Sequence, residues 1–410
     1  MTDTAIPDTA TPVGAPAVRR KLLARLFGGL GRGLSWCVAG LTVLLALAFF
    51  GGPVPFGPAE DTVAVVAMLV PWMAGVLMVF AAVAVAAAAL AWRSRRRALL
   101  TASALAGVLA ISMVVVPFAG AAALADEYDA SLSFAGQLAG LEAPAPDATA
   151  TYAVVEGEEL KVDVHLPEQV EGALPALVYV HGGGWREGTR DESAAAQEWL
   201  AEQGFAVFSI DYRLADVPRW QDSVGDVKCA LGWVRSHAAD YGVDATKVSI
   251  AGDSAGGQLS MMAAYTVGDE RFAPSCPTEE APVASVMTWF APMDLVGLAK
   301  DTKMPAYAEQ ALTSFIGGSP DAERAAYEAS SPINAVAEGL PPTMIVQGAA
   351  DRLIPVEQGV AMARALEEAG VPVSLLDVPW AHHGFTGQWS GWAAQAMRPA
   401  VGGFLDQHAR

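Results

Sequence analysis

The sequence predicts a mostly parallel, eight-stranded sheet flanked by helices (an α/β domain), preceded by three apolar helices. Two observations support this fold class. The first 125 residues contain three long stretches without a charged residue, and 53% of the whole chain is hydrophobic. Beyond them, short β-rich runs alternate with helical ones, the pattern of a parallel sheet covered by helices. The 410 residues are therefore expected to form a membrane region and one α/β domain.

Charged residues divide the N-terminal region into a tail and three apolar stretches. Residues 1–33 are rich in Thr, Pro and Ala and then turn basic, which predicts a disordered cytoplasmic tail. Three candidate transmembrane helices follow at about 34–52, 62–92 and 98–125. Each approaches or exceeds the length of about 20 apolar residues that crosses a bilayer. Three spans make this a multi-pass region of the cell membrane.

The charges flanking these stretches predict their orientation. Basic clusters precede the first span and separate the second from the third, at 93–97, whereas the loop at 51–61 carries Glu60 and Asp61. Because cytoplasmic loops are enriched in Lys and Arg, the N-terminus is expected in the cytoplasm and everything after residue 125 outside it. The sequence leaves open whether the chain is cleaved after Ala125, where Ala-Leu-Ala resembles a signal-peptidase site.

Residues 126–150 are expected to be a linker and 151–410 the α/β domain. Helices are predicted at 222–239, 254–266 and 356–369, and the segment 292–332 interrupts the alternation as part of a lid. Eight strands are predicted, at 152–155, 160–166, 176–180, 206–210, 248–251, 284–290, 343–347 and 373–378.

The run Gly252-Asp253-Ser254-Ala255-Gly256 stands between a predicted strand and a predicted helix. A serine on a sharp strand-to-helix turn with flanking glycines is the nucleophile elbow of G-x-S-x-G hydrolases. The turn exposes the Ser254 hydroxyl and places the Ala255 N–H at a helix start, where it favours an anion. Ser254 is therefore the predicted nucleophile, and Ala255 one predicted oxyanion donor.

A second glycine-rich run, His181-Gly-Gly-Gly-Trp185, follows the predicted strand 176–180. Three consecutive glycines allow the backbone to bend so that the Gly183 and Gly184 amides point into a site. Together with Ala255 they are predicted to form the oxyanion hole. His181 belongs to this loop and is predicted to support it.

A serine nucleophile requires a base and a carboxylate that orients the base. Asp351, after the strand 343–347, is the preferred carboxylate, with Asp294 as its competitor and a helix cap as the structural alternative. His382 and His383 follow the last strand, and His383, which precedes Gly-Phe, is the preferred base. The order Ser, Asp, His is that of the hydrolase fold.

These motifs together resemble a known group. His181-Gly-Gly-Gly-Trp185, Asp211-Tyr-Arg-Leu214, Gly252-Asp-Ser-Ala-Gly-Gly257, Gly348-x-x-Asp351 and His383-Gly-Phe385 are similar to the hormone-sensitive-lipase and acetyl- and feruloyl-esterase-like α/β-hydrolases. The resemblance covers about residues 150–410. It implies the α/β-hydrolase fold, carboxylic-ester hydrolysis, and Ser254, Asp351 and His383 as the catalytic triad.

The expected function is that of a membrane-anchored, extracytoplasmic serine carboxylesterase that cleaves neutral, short-to-medium acyl esters without a cofactor or metal. An acyltransferase acting on a sugar or lipid hydroxyl is the alternative, and a catalytically inactive receptor a further one. The partners expected are thus a small-molecule, lipid or saccharide ester and the membrane. The net charge of −19 argues against nucleic acid. Oligomeric state, and a bridge between Cys229 and Cys276, stay open.

Overall fold

The chain forms two compact units in the computed structural model. The helical unit comprises Met1–Leu47 and Gly75–Ser112, and the sheet unit comprises Ala48–Ala74 and Met113–Arg410. The predicted tail at 1–33 lies outside the described residues except for Gly33. The structure describes residues 33–51, 60–138, 145–169 and 172–410.

All three apolar stretches form helices, and within the described residues two of them have the length of a membrane span. These are the helical stretch Asp61–Arg93, of 33 residues, and Arg97–Glu127, of 31. Of the first stretch, predicted to span at 34–52, the described residues form the apolar helix Gly33–Phe49. It ends where Gly51 takes a positive φ of 77°. The helices are α1 (Gly33–Phe49), α2 (Glu60–Leu69), α3 (Ala74–Arg93) and α4 (Arg97–Glu127).

The two long helices expose their apolar side chains. Only 22% and 33% of their most apolar windows are buried, whereas a core helix of a water-soluble domain buries most of such a stretch. Contiguous exposed apolar surface of this kind is typical of contact with lipid. Within the helical unit, the helices meet through alanines, which allow close approach: Ala39, Ala84 and Ala106.

All eight predicted strands are confirmed, in one sheet of order β1-β2-β4-β3-β5-β6-β7-β8. The β1–β2 and β2–β4 pairs are antiparallel and the other pairs parallel. The strands are β1 (Ala148–Val155), β2 (Glu158–His165), β3 (Leu174–Val180), β4 (Ala206–Ile210), β5 (Val243–Asp253), β6 (Val286–Trp289), β7 (Thr343–Gly348) and β8 (Val373–Val378).

The central strands are buried on both faces, which explains their nearly continuous apolar sequences. Every residue of β4 and β6 is buried. Helices cover each face and complete one core cluster on either side of the sheet. The covering helices are α6 (Ala194–Glu202), α7 (Asp222–Ser236), α8 (Ala255–Tyr265), α12 (Val356–Glu368) and α13 (Trp392–His408). Three further helices lie in the segment predicted as part of a lid: α9 (Leu295–Asp301), α10 (Pro305–Ile316) and α11 (Arg324–Ala329).

The second half of α4 belongs to the sheet unit. Ala121, Leu124 and Ala125 are buried in a core cluster that also contains Trp392. Behind α4, a short helix α5 (Phe134–Leu138) lies in the segment expected to be a linker, and Phe134 contacts Trp392 at a ring distance of 5.0 Å. Residues 113–138 therefore pack as part of the α/β domain, because their aromatic and apolar side chains complete its core.

Cys229 and Cys276 form a disulfide with a Cα–Cα distance of 5.5 Å. It joins α7 to the segment after α8, closing a loop of 47 residues. Of the two alternatives that the sequence leaves open for this pair, the structure has the bridge. Cys37, on α1, is a free and exposed cysteine.

Candidate active site

The carboxyl ends of the parallel strands lie along one edge of the sheet and bring the predicted residues together. Ser254 follows β5, Asp351 follows β7 and His383 follows β8. The glycine loop that begins at Gly182 follows β3. The site is thus built from four loops held by one rigid sheet.

Ser254 has the strained backbone of a nucleophile elbow, with φ 51° and ψ −120°. A non-glycine residue in this region costs about 1–3 kcal/mol, which surrounding structure must hold. Gly256 is required here, because a Cβ at this residue would lie 2.1 Å from the Val180 carbonyl oxygen. Close contact between α8 and β3 therefore fixes the turn that presents the Ser254 hydroxyl.

A continuous hydrogen-bonded chain joins the three predicted catalytic residues. Ser254 Oγ lies 2.9 Å from His383 Nε2, and His383 Nδ1 lies 2.9 Å from Asp351 Oδ2. The Asp351 side chain is fully buried and that of His383 is 10% exposed. This geometry lets Nδ1–H donate to the carboxylate, which leaves Nε2 free to accept the Ser254 proton.

The competing carboxylate, Asp294, has another role. Its Oδ1 accepts the Val296 and Gly297 amides, at 3.0 and 2.9 Å, and so caps α9. Asp351 does not cap α12, which begins at Val356; its Oδ1 accepts the Leu353 and Ile354 amides of the preceding turn while Oδ2 faces His383. Backbone donors therefore hold the carboxylate in the orientation that fixes the imidazole.

His382, the other candidate base, is not part of the hydrogen-bonded chain that joins Ser254, His383 and Asp351. It is buried, and neither ring nitrogen has a well-aligned hydrogen-bond partner among the described residues. Burial, assisted by the nearby Arg352, lowers the pKa of His382 to about 4. The structure therefore places His383, and not His382, beside the nucleophile.

The glycine loop closes over the nucleophile. A Cβ at Gly182 would lie 3.3 Å from Ser254 Cβ, and Gly183 and Gly184 have positive φ values of 105° and 58°. Neither the Gly183 nor the Gly184 amide donates to another described residue. The Ala255 amide lies in the first turn of α8, where helix amides have no intrahelical partner. The three predicted oxyanion donors are thus unpaired around the turn.

Two side chains that sequence reasoning did not assign hold the glycine loop. Gln258 on α8 accepts a hydrogen bond from the Trp185 indole, at 2.9 Å, and donates to the Ser330 carbonyl, at 2.7 Å. Tyr212 donates to the His181 and Gly182 carbonyls and stacks on the His181 ring. His181 therefore supports the loop, as predicted. The Asp211-Tyr-Arg-Leu motif was the available signal for Tyr212.

Asp253, next to the nucleophile, is a buried carboxyl that accepts a hydrogen bond from Tyr179, at 3.1 Å. Burial raises the pKa of Asp253 to about 6. Its position in the elbow motif identified it as part of the turn, but only the fold reveals that its side chain is desolvated.

A narrow cavity, the acyl-side cavity, adjoins the nucleophile. Ser254, Gly184 and Ala255 line it at one end, and Tyr307 and Leu312 of α10 line the other. Its volume is about 20 Å³. Helix α10 lies within the segment predicted as a lid, and here it covers the nucleophile. A larger open cleft of about 830 Å³, lined by residues such as Arg271 and Arg324, contains none of the three triad residues.

The sequence compares with known esterases over this region. It is 31% identical to the probable carboxylic ester hydrolase LipM of Mycobacterium tuberculosis over 216 residues, covering 52% of this chain and 50% of LipM. It is 30% identical to the carboxylesterase NlhH of the same organism over 239 residues, covering 55% of this chain and 71% of NlhH. The chain spans about half the length of the first of these curated relatives.

The fold is also similar to that of a known esterase. A thermophilic esterase from the planctomycete Thermogutta terrifontis, solved with propionate bound, matches with a TM-score of 0.53 and 30% identity, over 63% of this chain and 93% of that one. The BD-FAE family model matches residues 162–366, half of the chain. This segment contains the glycine loop, the elbow and Asp351. The chain belongs to the BD-FAE family.

Proposed function

We propose that this protein is a membrane-anchored serine carboxylesterase. The observation that carries the proposal is the hydrogen-bonded chain from Ser254 through His383 to the buried Asp351, facing unpaired backbone amides. Acyl transfer by serine needs these four components, a nucleophile, a base, an orienting carboxylate and oxyanion donors. The esterase relatives support the same chemistry.

In the first half-reaction, His383 Nε2 accepts the Ser254 proton as Oγ attacks the ester carbonyl. The amides of Gly183, Gly184 and Ala255 stabilise the oxyanion, and each such donor contributes about 3 kcal/mol in known enzymes. His383 then donates the proton to the departing alcohol oxygen, which leaves an acyl-enzyme. Water then attacks the acyl-enzyme as His383 accepts its proton, and His383 returns that proton to Ser254 Oγ as the acyl–oxygen bond breaks and the acid is released. Asp351 stabilises the imidazolium in both halves.

The acyl group is proposed to be short. The acyl-side cavity, about 20 Å³, has room for one or two water-sized groups. Its walls at Ala308, Ala311 and Leu312 are apolar, so no charged acyl group is accommodated there. The propionate bound to the planctomycete esterase is of matching size.

The anchoring part of the proposal rests on three observations. The helices containing α3 and α4 are long and expose apolar residues, four arginines lie at and beside the turn between them, and the sheet unit contains a disulfide. Arginines mark the cytoplasmic side, and disulfides persist in oxidising compartments. The long apolar helices therefore favour insertion in a membrane, and the arginines and the disulfide favour a sheet unit outside the cytoplasm.

The activity is tested with the full chain in detergent micelles, assayed by the release of acid from methyl acetate. Ser254→Ala is expected to reduce turnover to the background rate, while Ser236→Ala, an exposed serine at the end of α7, retains it. Turnover that survives Ser254→Ala would exclude the proposed nucleophile. Product analysis in the presence of added alcohols distinguishes hydrolysis from acyl transfer, since transfer yields a new ester in place of the free acid.

The orientation is tested by cysteine labelling in intact cells, in a Cys37→Ser background. A membrane-impermeant maleimide is expected to label Val154→Cys, on exposed β1, without permeabilisation. Ser94→Cys, at the arginine turn, is expected to react only after permeabilisation. The reverse pattern would contradict the proposed orientation without affecting the proposed activity.

A further inference from the structure

A second pocket of the sheet unit, here named the histidine-side pocket, lies beside His383 and away from the acyl-side cavity. Met68 and Trp72, from α2 and the turn after it, form one wall. Val114 and Pro117 of α4 form another, and His382 and His383 complete the pocket. The volume is about 40 Å³, room for roughly three water-sized groups.

These walls are particular to this chain. Met68, Trp72, Val114 and Pro117 all lie outside the segment matched by the family model, residues 162–366. They come from the apolar N-terminal region, whose sheet-unit portions fold against the α/β domain. The pocket is therefore not explained by the family's shared core.

His382 is a buried polar group in this pocket, whose lining also includes the amides of Gln137 and Gln388. It is 3% exposed, and neither ring nitrogen makes a well-aligned hydrogen bond to a described residue, although the backbone of Ala350 interacts with the ring. Because a buried donor or acceptor without a well-aligned partner is costly, a ligand atom that pairs with this ring would be favoured. Because burial keeps the ring neutral, it offers one donor and one acceptor.

The position of His383 indicates which part of an ester this pocket faces. The acyl-side cavity is lined by Ser254 and Ala255 but not by His383, whereas the histidine-side pocket is lined by His383 but not by Ser254. In ester cleavage the base returns its proton to the alcohol oxygen, so the alcohol leaves on the side of the imidazole. The two cavities thus lie on the two sides of the scissile bond.

We propose that the histidine-side pocket binds the alcohol portion of the substrate ester, a compact and mainly apolar group with one polar atom that pairs with His382. This inference rests on the proposed esterase function and names its substrate class. The apolar walls at Trp72, Val114 and Pro117 exclude charged and sugar-sized alcohols, and the volume limits the group to about four non-hydrogen atoms.

The size of the alcohol group is tested with the full chain, on methyl acetate and n-butyl acetate. Val114→Trp fills the pocket and is expected to lower kcat/KM for n-butyl acetate at least tenfold relative to methyl acetate. Val115→Trp, one residue along on the exposed face of α4, is the matched control and is expected to leave this ratio unchanged. Retained methyl acetate hydrolysis shows that each variant is folded.

The polar atom is tested with 2-methoxyethyl acetate, which has the shape of n-butyl acetate but an ether oxygen in place of one methylene. The native protein is expected to prefer the methoxyethyl ester. His382→Phe is expected to reduce that preference about fivefold, the effect of one neutral hydrogen bond.

A Val114→Trp variant that affects both alkyl acetates equally, or neither, would overturn the assignment of the pocket. An unchanged preference in His382→Phe would overturn the assigned role of His382. Absence of any Ser254-dependent turnover in the native protein would overturn the proposed function itself, and this inference with it.

Discussion

In the helical unit, Val79 and Leu90 are 60% and 66% exposed, whereas in the sheet unit β4 and β6 bury every residue. Both regions are rich in apolar residues. The sheet unit buries them around an eight-stranded sheet, and the helical unit presents them on the outside of long helices. This difference supports the proposal that lipid surrounds the helical unit and water the sheet unit.

The comparison also separates two kinds of task. The sheet unit holds strained and desolvated groups, such as Ser254 and Asp253, which need rigid surroundings. Among the described residues of the helical unit, one non-glycine residue has a positive φ, Arg95 in the turn between α3 and α4, and it lies outside the candidate site. The segments 48–74 and 113–127 belong to the sheet unit although their sequence continues the apolar helices, and they form walls beside the candidate base. Catalysis and anchoring should therefore respond to different substitutions.

The largest effect is expected from Asp351→Asn, which is predicted to lower kcat about 10⁴-fold because the amide no longer fixes the imidazole of His383. Asp294→Asn is the matched control, a carboxylate that caps α9 and does not contact His383. It is expected to leave both kcat and stability nearly unchanged, because Asn caps a helix about as well as Asp. Steady-state kinetics on methyl acetate measure the activity of both variants, and equal losses in the two would show that Asp351 acts only through stability.

The disulfide is predicted to stabilise the sheet unit alone. Replacing Cys229 and Cys276 by Ala is expected to lower the free energy of unfolding by about 4 kcal/mol, given the 47-residue loop. Cys37→Ser, in the helical unit, is expected to have no measurable effect. Denaturant unfolding followed by loss of esterase activity makes the comparison. If the double variant unfolds like the native protein, the bridge does not stabilise the sheet unit.

Substitutions at two exposed valines test whether the helical unit faces lipid and the sheet unit faces water. Val79→Arg, on α3, is predicted to reduce membrane insertion by about 3 kcal/mol, the cost of an arginine near the centre of a span. Val154→Arg, on β1, is equally exposed but faces water, and it is expected to cost almost nothing. The membrane-bound fraction after alkaline extraction measures the difference. Equal behaviour of the two variants would show that α3 does not cross the membrane.

A smaller effect is predicted for pH, through His382. Because its pKa is lowered to about 4, the folded protein stays unprotonated there while the unfolded chain binds a proton below about 6.5. Stability is thus lost as pH falls from 6.5 towards 4, by about 2 kcal/mol at pH 5. Asp253, with its pKa raised to about 6, has the opposite slope between about 4 and 6. Because Asp253 also changes the stability with pH, the contribution of His382 is measured as the difference in free energy of unfolding between the native protein and a His382 variant at each pH.

His382→Gln is expected to remove this pH dependence, whereas His408→Gln, near the C-terminus, should keep it. Urea unfolding at pH 7 and at pH 5 gives the difference in free energy of unfolding between the native protein and each variant. A native protein that gains no relative stability over His382→Gln between pH 5 and pH 7 would contradict a neutral, buried His382.

Much of the sheet unit could be predicted because its signals are local. Each strand is a short β-rich run, and the elbow and the glycine loop carry their backbone requirements in their glycines. The structure brings Ser254, Asp351 and His383 within hydrogen-bonding distance in the predicted order. The choice of Asp351 over Asp294 followed from its position after a strand and from the resemblance, and the choice of His383 over His382 followed from the Gly-Phe after His383.

The remainder depended on contacts between residues distant in sequence. No local pattern shows that Gln258 meets Trp185, or that the Asp253 side chain is desolvated by the fold. The predicted third span, 98–125, has uniform apolar sequence, and only packing reveals that its second half joins the sheet unit. The first span was predicted too long, since α1 ends at Phe49.

The central claim, that Ser254 is a nucleophile activated by His383, is tested most directly by covalent labelling. The full chain is treated with a fluorophosphonate and the adduct is located by mass spectrometry. The account predicts one adduct, on Ser254, which is absent from Ser254→Ala and forms at least 10²-fold more slowly in His383→Ala. Labelling that persists in Ser254→Ala, or no labelling of folded protein, would contradict it.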